Sequence, residues 1–162
     1  MNFNRFAIDR LIDSLTCLPG TICDITLLKW DEIADYSPDP DRFSVREIIA
    51  HLADFDVIFL DRFIRTCTEQ HPTLPSVDEA ELAVRHQYAT LDTAEQYRLL
   101  CERRANMVSF LQQCDEASWA RPAERPGIGT VDLQQQLVIT AMHDNYHIHQ
   151  LVHWVAQFHS AT

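Results

Sequence analysis

Three histidines carry the most chemical information in this chain. His51 lies in Ser44-Val45-Arg46-Glu47-Ile48-Ile49-Ala50-His51-Leu52-Ala53-Asp54, and His143 and His147 lie in Met142-His143-Asp144-Asn145-Tyr146-His147-Ile148-His149-Gln150. Residues four apart on an α-helix are separated by about 40° around its axis, so His143 and His147 can aim both imidazoles at one ion. A third imidazole from a facing helix, His51, would complete a three-nitrogen site with one position left open, as a catalytic metal needs. Three neutral imidazoles leave a divalent ion its full charge. Such an ion acidifies a bound water toward pKa ~7 or binds a thiolate; the first route gives hydrolysis, the second thiol transfer or isomerisation. The donor set suits zinc, nickel, iron and copper alike.

Spacing alone does not single out this pair. The chain holds 8 histidines, and His149 with His153 forms a second pair four apart, about 240° further around the same helix. Both pairs cannot face one bundle centre. His147 shares a stripe with Leu151, Trp154 and Phe158, whereas His149 and His153 lie off it. His71, His86 and His159 read as surface or loop residues. Around the candidate ligands, Asp54 is three residues from His51 and Asp144 adjoins His143, so either could orient an imidazole from behind, or be a solvated surface acid. Gln150 could meet a substrate or brace the last helix, and Tyr146 reads as packing.

These residues need helices to hold them. Ser44 and Glu47 form an S-x-x-E capping box just before an apolar run, the clearest helix start in the sequence. Ile48, Leu52, Phe55, Phe59 and Phe63 then mark a buried face, with His51 on its inner edge. A first helix is expected from about Asn4 to Leu18, interrupted at Pro19-Gly20 and resuming before Trp30; residues 35–42, with Ser-Pro and Asp-Pro steps, form a loop. Residues 66–79 carry Pro72 and Pro75 and no strong apolar period. Helix returns near Ala80 and runs, with a break at Leu91-Asp92-Thr93, to about Cys114. Residues 119–129 are irregular, and Thr130 or Asp132 caps a last helix through Leu133, Leu137, Leu151, Trp154, Val155 and Phe158. One all-α domain over residues 1–162, a four-helix bundle, accounts for this pattern, and bundles build metal sites between facing helices.

Bulk properties narrow the function further. With 13 Lys+Arg against 24 Asp+Glu and a formal charge of −11, the chain lacks the basic stripe that phosphate backbones demand, which argues against nucleic acid as a partner. No run approaches the roughly 20 apolar residues that span a bilayer. Met1-Asn2-Phe3-Asn4-Arg5 leads into a charged periodic segment rather than a signal peptide's apolar stretch, so a cytoplasmic location is expected. The 5 cysteines, without a Cys-x-x-Cys, read as reduced thiols rather than a disulfide framework.

The Ser44–Asp54 string followed by His143-x-x-x-His147-Ile148-His149-Gln150 resembles the DinB/YfiT-like superfamily of metal-dependent enzymes. Its members pair a capped S-x-x-E-x-x-x-H-L-A-like helix with a last helix bearing H-x-x-x-H-x-x-Q. The resemblance spans essentially the whole chain. It implies a four-helix bundle, usually up-down-down-up, and a divalent metal, commonly zinc or nickel, on His51, His143 and His147. Phe43 stands where relatives carry an aromatic residue, often tryptophan, and His149 where many have Gly. It also makes Pro19-Gly20 look like a helix start. Bacillithiol- and mycothiol-dependent transferases among related families bring in a low-molecular-weight thiol beside a small-molecule substrate, and relatives often form homodimers. Against the enzyme stands a non-catalytic metal-binding or stress-response bundle whose site is structural.

Overall fold

Apolar residues at three- and four-residue spacing wind into four long helices: α1 (Arg5–Thr26), α3 (Val45–Thr68), α5 (Thr93–Gln113) and α6 (Leu133–Ala161), with short α2 (Trp30–Ile33) and α4 (Glu79–Arg85) between them. The computed structural model describes residues 4–161; Met1–Phe3, where the leader expectation begins, lie outside them. α5 packs beside α3, α6 beside α1, and contacts of α1 with α5 and of α3 with α6 close the bundle. Cross-links give the helix directions. Arg46 meets the Leu91 carbonyl and Asp56 meets Arg104, so α3 and α5 run the same way. Leu15 meets Arg104 while Pro19 meets Tyr97, and His51 meets His143 while Thr66 meets Gln136. Hence α1 and α6 run against the other two.

α1 does not stop at Pro19. It continues unbroken to Thr26 and ends where Leu27 takes a left-handed backbone, φ 50°. A mid-helix proline normally costs a hydrogen bond because the carbonyl four residues back loses its donor. Here that carbonyl, Leu15, accepts from Nη1 of Arg104 on α5 at 3.2 Å. A partner from another helix replaces the missing N–H. Neither a break nor a helix start was the right expectation, since the compensating donor is 89 residues away.

The start of α3 follows the sequence closely. Ser44 Oγ accepts from the Glu47 N–H, Glu47 Oε2 accepts from the Ser44 N–H at 2.8 Å, and Ile48, Leu52, Phe55, Phe59 and Phe63 are all buried. The α3–α5 connection holds α4, a left-handed Gln87 that stops it, and a 3-10 turn at Tyr88–Thr90. Residues 119–129, expected to be irregular, instead contain most of an antiparallel hairpin, β1 (Pro122–Arg125) and β2 (Gly129–Asp132), turned at Gly127 with φ +81°. Strands of four residues are too short to show an alternating pattern. The hairpin ends in the cap of α6: Asp132 Oδ1 accepts from the Gln135 N–H at 2.7 Å and Gln135 Oε1 accepts from the Asp132 N–H at 2.8 Å. Thr130 bonds Glu124 instead. Among the described residues, no helix is long and apolar enough to cross a membrane.

Candidate metal centre

The capping box sets the register that turns His51 inward two turns into α3, where its side chain is wholly buried. α6 brings His143 and His147 to the same point from the opposite side. His51 Nε2 and His143 Nε2 lie 2.9 Å apart, and ring nitrogens of all three histidines fall within 4.8 Å of one another. Two nitrogens on one zinc ion, each at about 2.0–2.1 Å, cannot be more than about 4.2 Å apart, so the His51–His143 approach fits a shared ion. Aromatic rings wall the site. Phe55 lies 4.2 Å from the His51 ring centre and stacks on His143 at 4.9 Å, while Phe43 and Phe59 each approach one imidazole at 5.3 Å.

Burial decides the protonation of His51 and His147. It pushes the His51 imidazole down to about 2, with neighbouring His147 and His143 adding to the effect, and His147 down to about 3, with His143 adding. Both rings are therefore neutral at ordinary pH and keep a nitrogen lone pair. Among the described residues, His51 Nδ1 and His143 Nδ1 are buried without a hydrogen-bond partner. Three convergent imidazoles, with no carboxylate among them, match the donor set of an open divalent-metal site.

The residues behind the imidazoles divide into those that reach them and those that do not. Gln150 Oε1 lies 3.2 Å from His147 Nδ1; accepting the proton there leaves Nε2 as the free donor. Asp144 Oδ1 stands 3.9 Å from His143 Nδ1, too far for a hydrogen bond. Asp54 does not brace a triad imidazole. Its carboxylate turns toward α5 and the connection, accepting from Tyr88 Oη and Arg103 Nη1, each at 2.9 Å, and meeting His86 Nδ1 at 2.6 Å. His86 is thus a surface residue with a definite partner. His149 and His153 are exposed, leaving His143 and His147 as the inward pair. Tyr146 is not packing: it is 53% exposed, and its ring stands edge-on to His147 at 5.0 Å.

Sequence reasoning missed the charged clasp behind the site. Arg104 Nε and Nη2 bind Asp56 at 2.9 and 2.7 Å, Nη2 also binds Asp144 at 3.0 Å, and Nη1 binds both Asp144 and the Leu15 carbonyl. All the N–H donors of the guanidinium are used. They join α1, α3, α5 and α6 at one buried point. Burial acts to raise the Asp144 carboxyl, but His143 and Arg104 beside it hold it below the usual range; for Asp56 burial wins and pushes it up to about 6. A signal for the clasp did exist. Asp56 follows Leu52 by four, Arg104 follows Leu100 by four, and Asp144 precedes His147 by three, so each sits on its helix's inward stripe.

A profile of the DinB superfamily matches residues 26–151. The chain belongs to the DinB superfamily. Similarity to individual DinB-type proteins is more distant. A protein of Oceanobacillus iheyensis named "putative metal-dependent hydrolase" is 25% identical over 141 residues, covering 87% of this chain and 79% of its own. Among solved structures, YfiT from Bacillus subtilis, described as "a probable metal-dependent hydrolase with an unusual four-helix bundle topology", superposes with a TM-score of 0.88. That match is 20% identical, covers 96% of this chain and 90% of YfiT, and is a likeness of fold.

Proposed function

We propose that this DinB-superfamily chain is a divalent-metal-dependent hydrolase of a small molecule, with His51, His143 and His147 as the ligands. The observation that carries the reading is the convergence of three imidazoles from two facing helices, two of them, His51 and His147, buried and neutral. The printed names of the Oceanobacillus relative and of YfiT point the same way. Zinc or nickel bound there would supply a Lewis acid and a water acidified toward neutral pKa.

The chain's own residues prepare the rest. Gln150 holds the His147 proton on Nδ1, and Asp144, fixed by Arg104, stands behind His143. Phe43, Phe55 and Phe59 keep water from the far side of the imidazoles. On the open side, a cleft of about 240 Å³ lined by Arg42, Phe43, Tyr146, His147 and Gln150 admits a small substrate.

The test is turnover of a panel of carboxylic esters and amides by the zinc- or nickel-loaded chain, alongside its His143→Ala/His147→Ala variant. Hydrolysis that needs both metal and histidines supports the proposal. Turnover that requires glutathione, bacillithiol or mycothiol would replace hydrolysis with thiol transfer. Bound metal that raises the melting temperature with no substrate turned over would make the site structural.

A further inference from the structure

The cleft at His147 continues away from the triad. Asp41, Arg42, Phe43 and Ala80 line both it and a second cavity of about 590 Å³ that reaches α4, where Ala83 and Val84, with Ala89 from the following 3-10 turn, supply an apolar wall. Arg42 lines both spaces. Its guanidinium carbon lies 5.5 Å from the Tyr146 ring centre and 5.6 Å from that of Trp154, and Nη2 donates to the Tyr146 hydroxyl. Trp154 is pinned in turn by its Nε1–H bond to the Phe43 carbonyl at 2.9 Å. The aromatic platform thus holds the guanidinium in place before any ligand arrives.

That platform leaves most of the guanidinium's N–H groups unspent. Arg46, Arg98, Arg103 and Arg104 all hold carboxylates, whereas among the described residues Arg42, like Arg62, Arg85, Arg121 and Arg125, is in no ion pair, and of these five Arg42 alone lines the cleft at His147. In a chain with 24 acidic residues against 13 basic ones, a preorganised arginine without a carboxylate at the mouth of the proposed active site is a receptor for an external anion. The acids lining the same cavities set the charge of that anion. Asp41, Glu47 and Glu79 repel any anion there, a phosphate dianion about twice as strongly as a carboxylate monoanion, so of the two the carboxylate is favoured.

We propose that Arg42 binds the carboxylate of the substrate, which is a small carboxylic acid with its apolar part toward α4 and its scissile bond toward His147. This rests on the metal-hydrolase reading for the position of the reacting bond, while the carboxylate site itself does not. Hexanoate is a suitable probe, with hexan-1-ol and hexyl phosphate as its neutral and dianionic counterparts. Calorimetric titration of the full chain, zinc-loaded and metal-free, would compare wild type with Arg42→Met and Arg42→Lys. Arg42 is exposed, and unchanged melting temperatures check that both variants fold.

Hexanoate is expected to bind metal-free wild type at least tenfold more tightly than Arg42→Met. Arg42→Lys should fall between, because an ammonium lacks the two-pronged fork. Hexan-1-ol should bind weakly and without regard to residue 42. Equal hexanoate affinity in wild type and Arg42→Met overturns the proposal, as does tenfold preference for hexyl phosphate. So does hexanoate binding that appears only with zinc and is lost only in His143→Ala/His147→Ala, which would put the anion on the metal. If the chain takes up no zinc while hexanoate still depends on Arg42, the metal reading fails and the carboxylate site stands.

Discussion

Asp144 lies one residue beyond His143, and Arg104 donates to both of its carboxylate oxygens. The residue that adjoins a candidate ligand on α6 is therefore fixed by a cation from α5, which also grips Asp56 on α3 and the Leu15 carbonyl on α1. The bundle core and the candidate metal site share one electrostatic support.

Arg104→Met should accordingly be among the most damaging single changes. It leaves two carboxylates buried together without their cation, at a cost of about 3–5 kcal/mol. Adding Asp56→Leu and Asp144→Leu should restore much of the loss, since apolar residues often replace buried ion clusters at little cost. Urea unfolding of the single and triple variants measures both effects. A single variant with the wild-type midpoint would mean that the clasp contributes nothing.

Metal should stabilise the chain through the triad. Zinc at 100 times its dissociation constant adds about 2.7 kcal/mol by linkage, and chelation should remove that increment. Any one of His51→Ala, His143→Ala and His147→Ala should abolish most of the zinc-induced rise in melting temperature, whatever its effect on the metal-free protein. Calorimetry with and without zinc, together with elemental analysis, checks this. Stoichiometric zinc in the His143→Ala/His147→Ala variant would place the metal elsewhere.

Acid should destabilise the metal-free protein. Unfolded histidines take up protons near pH 6.5, but folded His51 and His147 resist until about 2 and 3. The stability tied to their neutral forms is complete above about pH 6.5 and falls with pH below it, by about 1.4 kcal/mol per pH unit for each histidine. Asp56, raised to about 6, binds its proton earlier when folded and works in the opposite direction between about 6 and 3.8. The net loss is about 1.4 kcal/mol per unit between pH 6 and 4. Urea midpoints in chelator at pH 7, 6, 5 and 4 test this, and Asp56→Asn should steepen the dependence.

Gln150 should affect the metal more than the fold. Without Oε1 beside Nδ1, the His147 ring is free to change tautomer and turn its lone pair away. Gln150→Leu is expected to weaken zinc binding by about 10–100-fold, with Gln150→Glu retaining more of the affinity. Competition against a chromogenic chelator reads the difference, and equal affinity in Gln150→Leu and wild type would remove Gln150 from the site.

The triad was legible because helical spacing made it possible and the resemblance to the DinB superfamily singled it out. The Ser44–Glu47 box set the phase of α3, and the apolar residues that share a stripe with His147 separated the inward pair from His149 and His153. What escaped depended on partners from other helices. At Asp54, spacing along α3 put a carboxylate near His51, but Arg103, Tyr88 and His86 draw it away. At Pro19, the local rule predicted an interruption, and Arg104 supplied the donor that the rule assumes to be missing. Helix periodicity says which way a side chain faces, not what it meets.

His51 and His143 meet across 92 residues of chain. In a chain made from its N-terminus, α1, α3 and α5 are complete before α6 exists. Until α6 docks, His51 has no imidazole partners, and Arg104 holds Asp56 and the Leu15 carbonyl but not Asp144. Contacts of such sequence separation form late and slowly because long loops must close first. The imidazole cluster thus forms only in the finished bundle, and a chain with α6 undocked exposes a half-built aromatic pocket around His51.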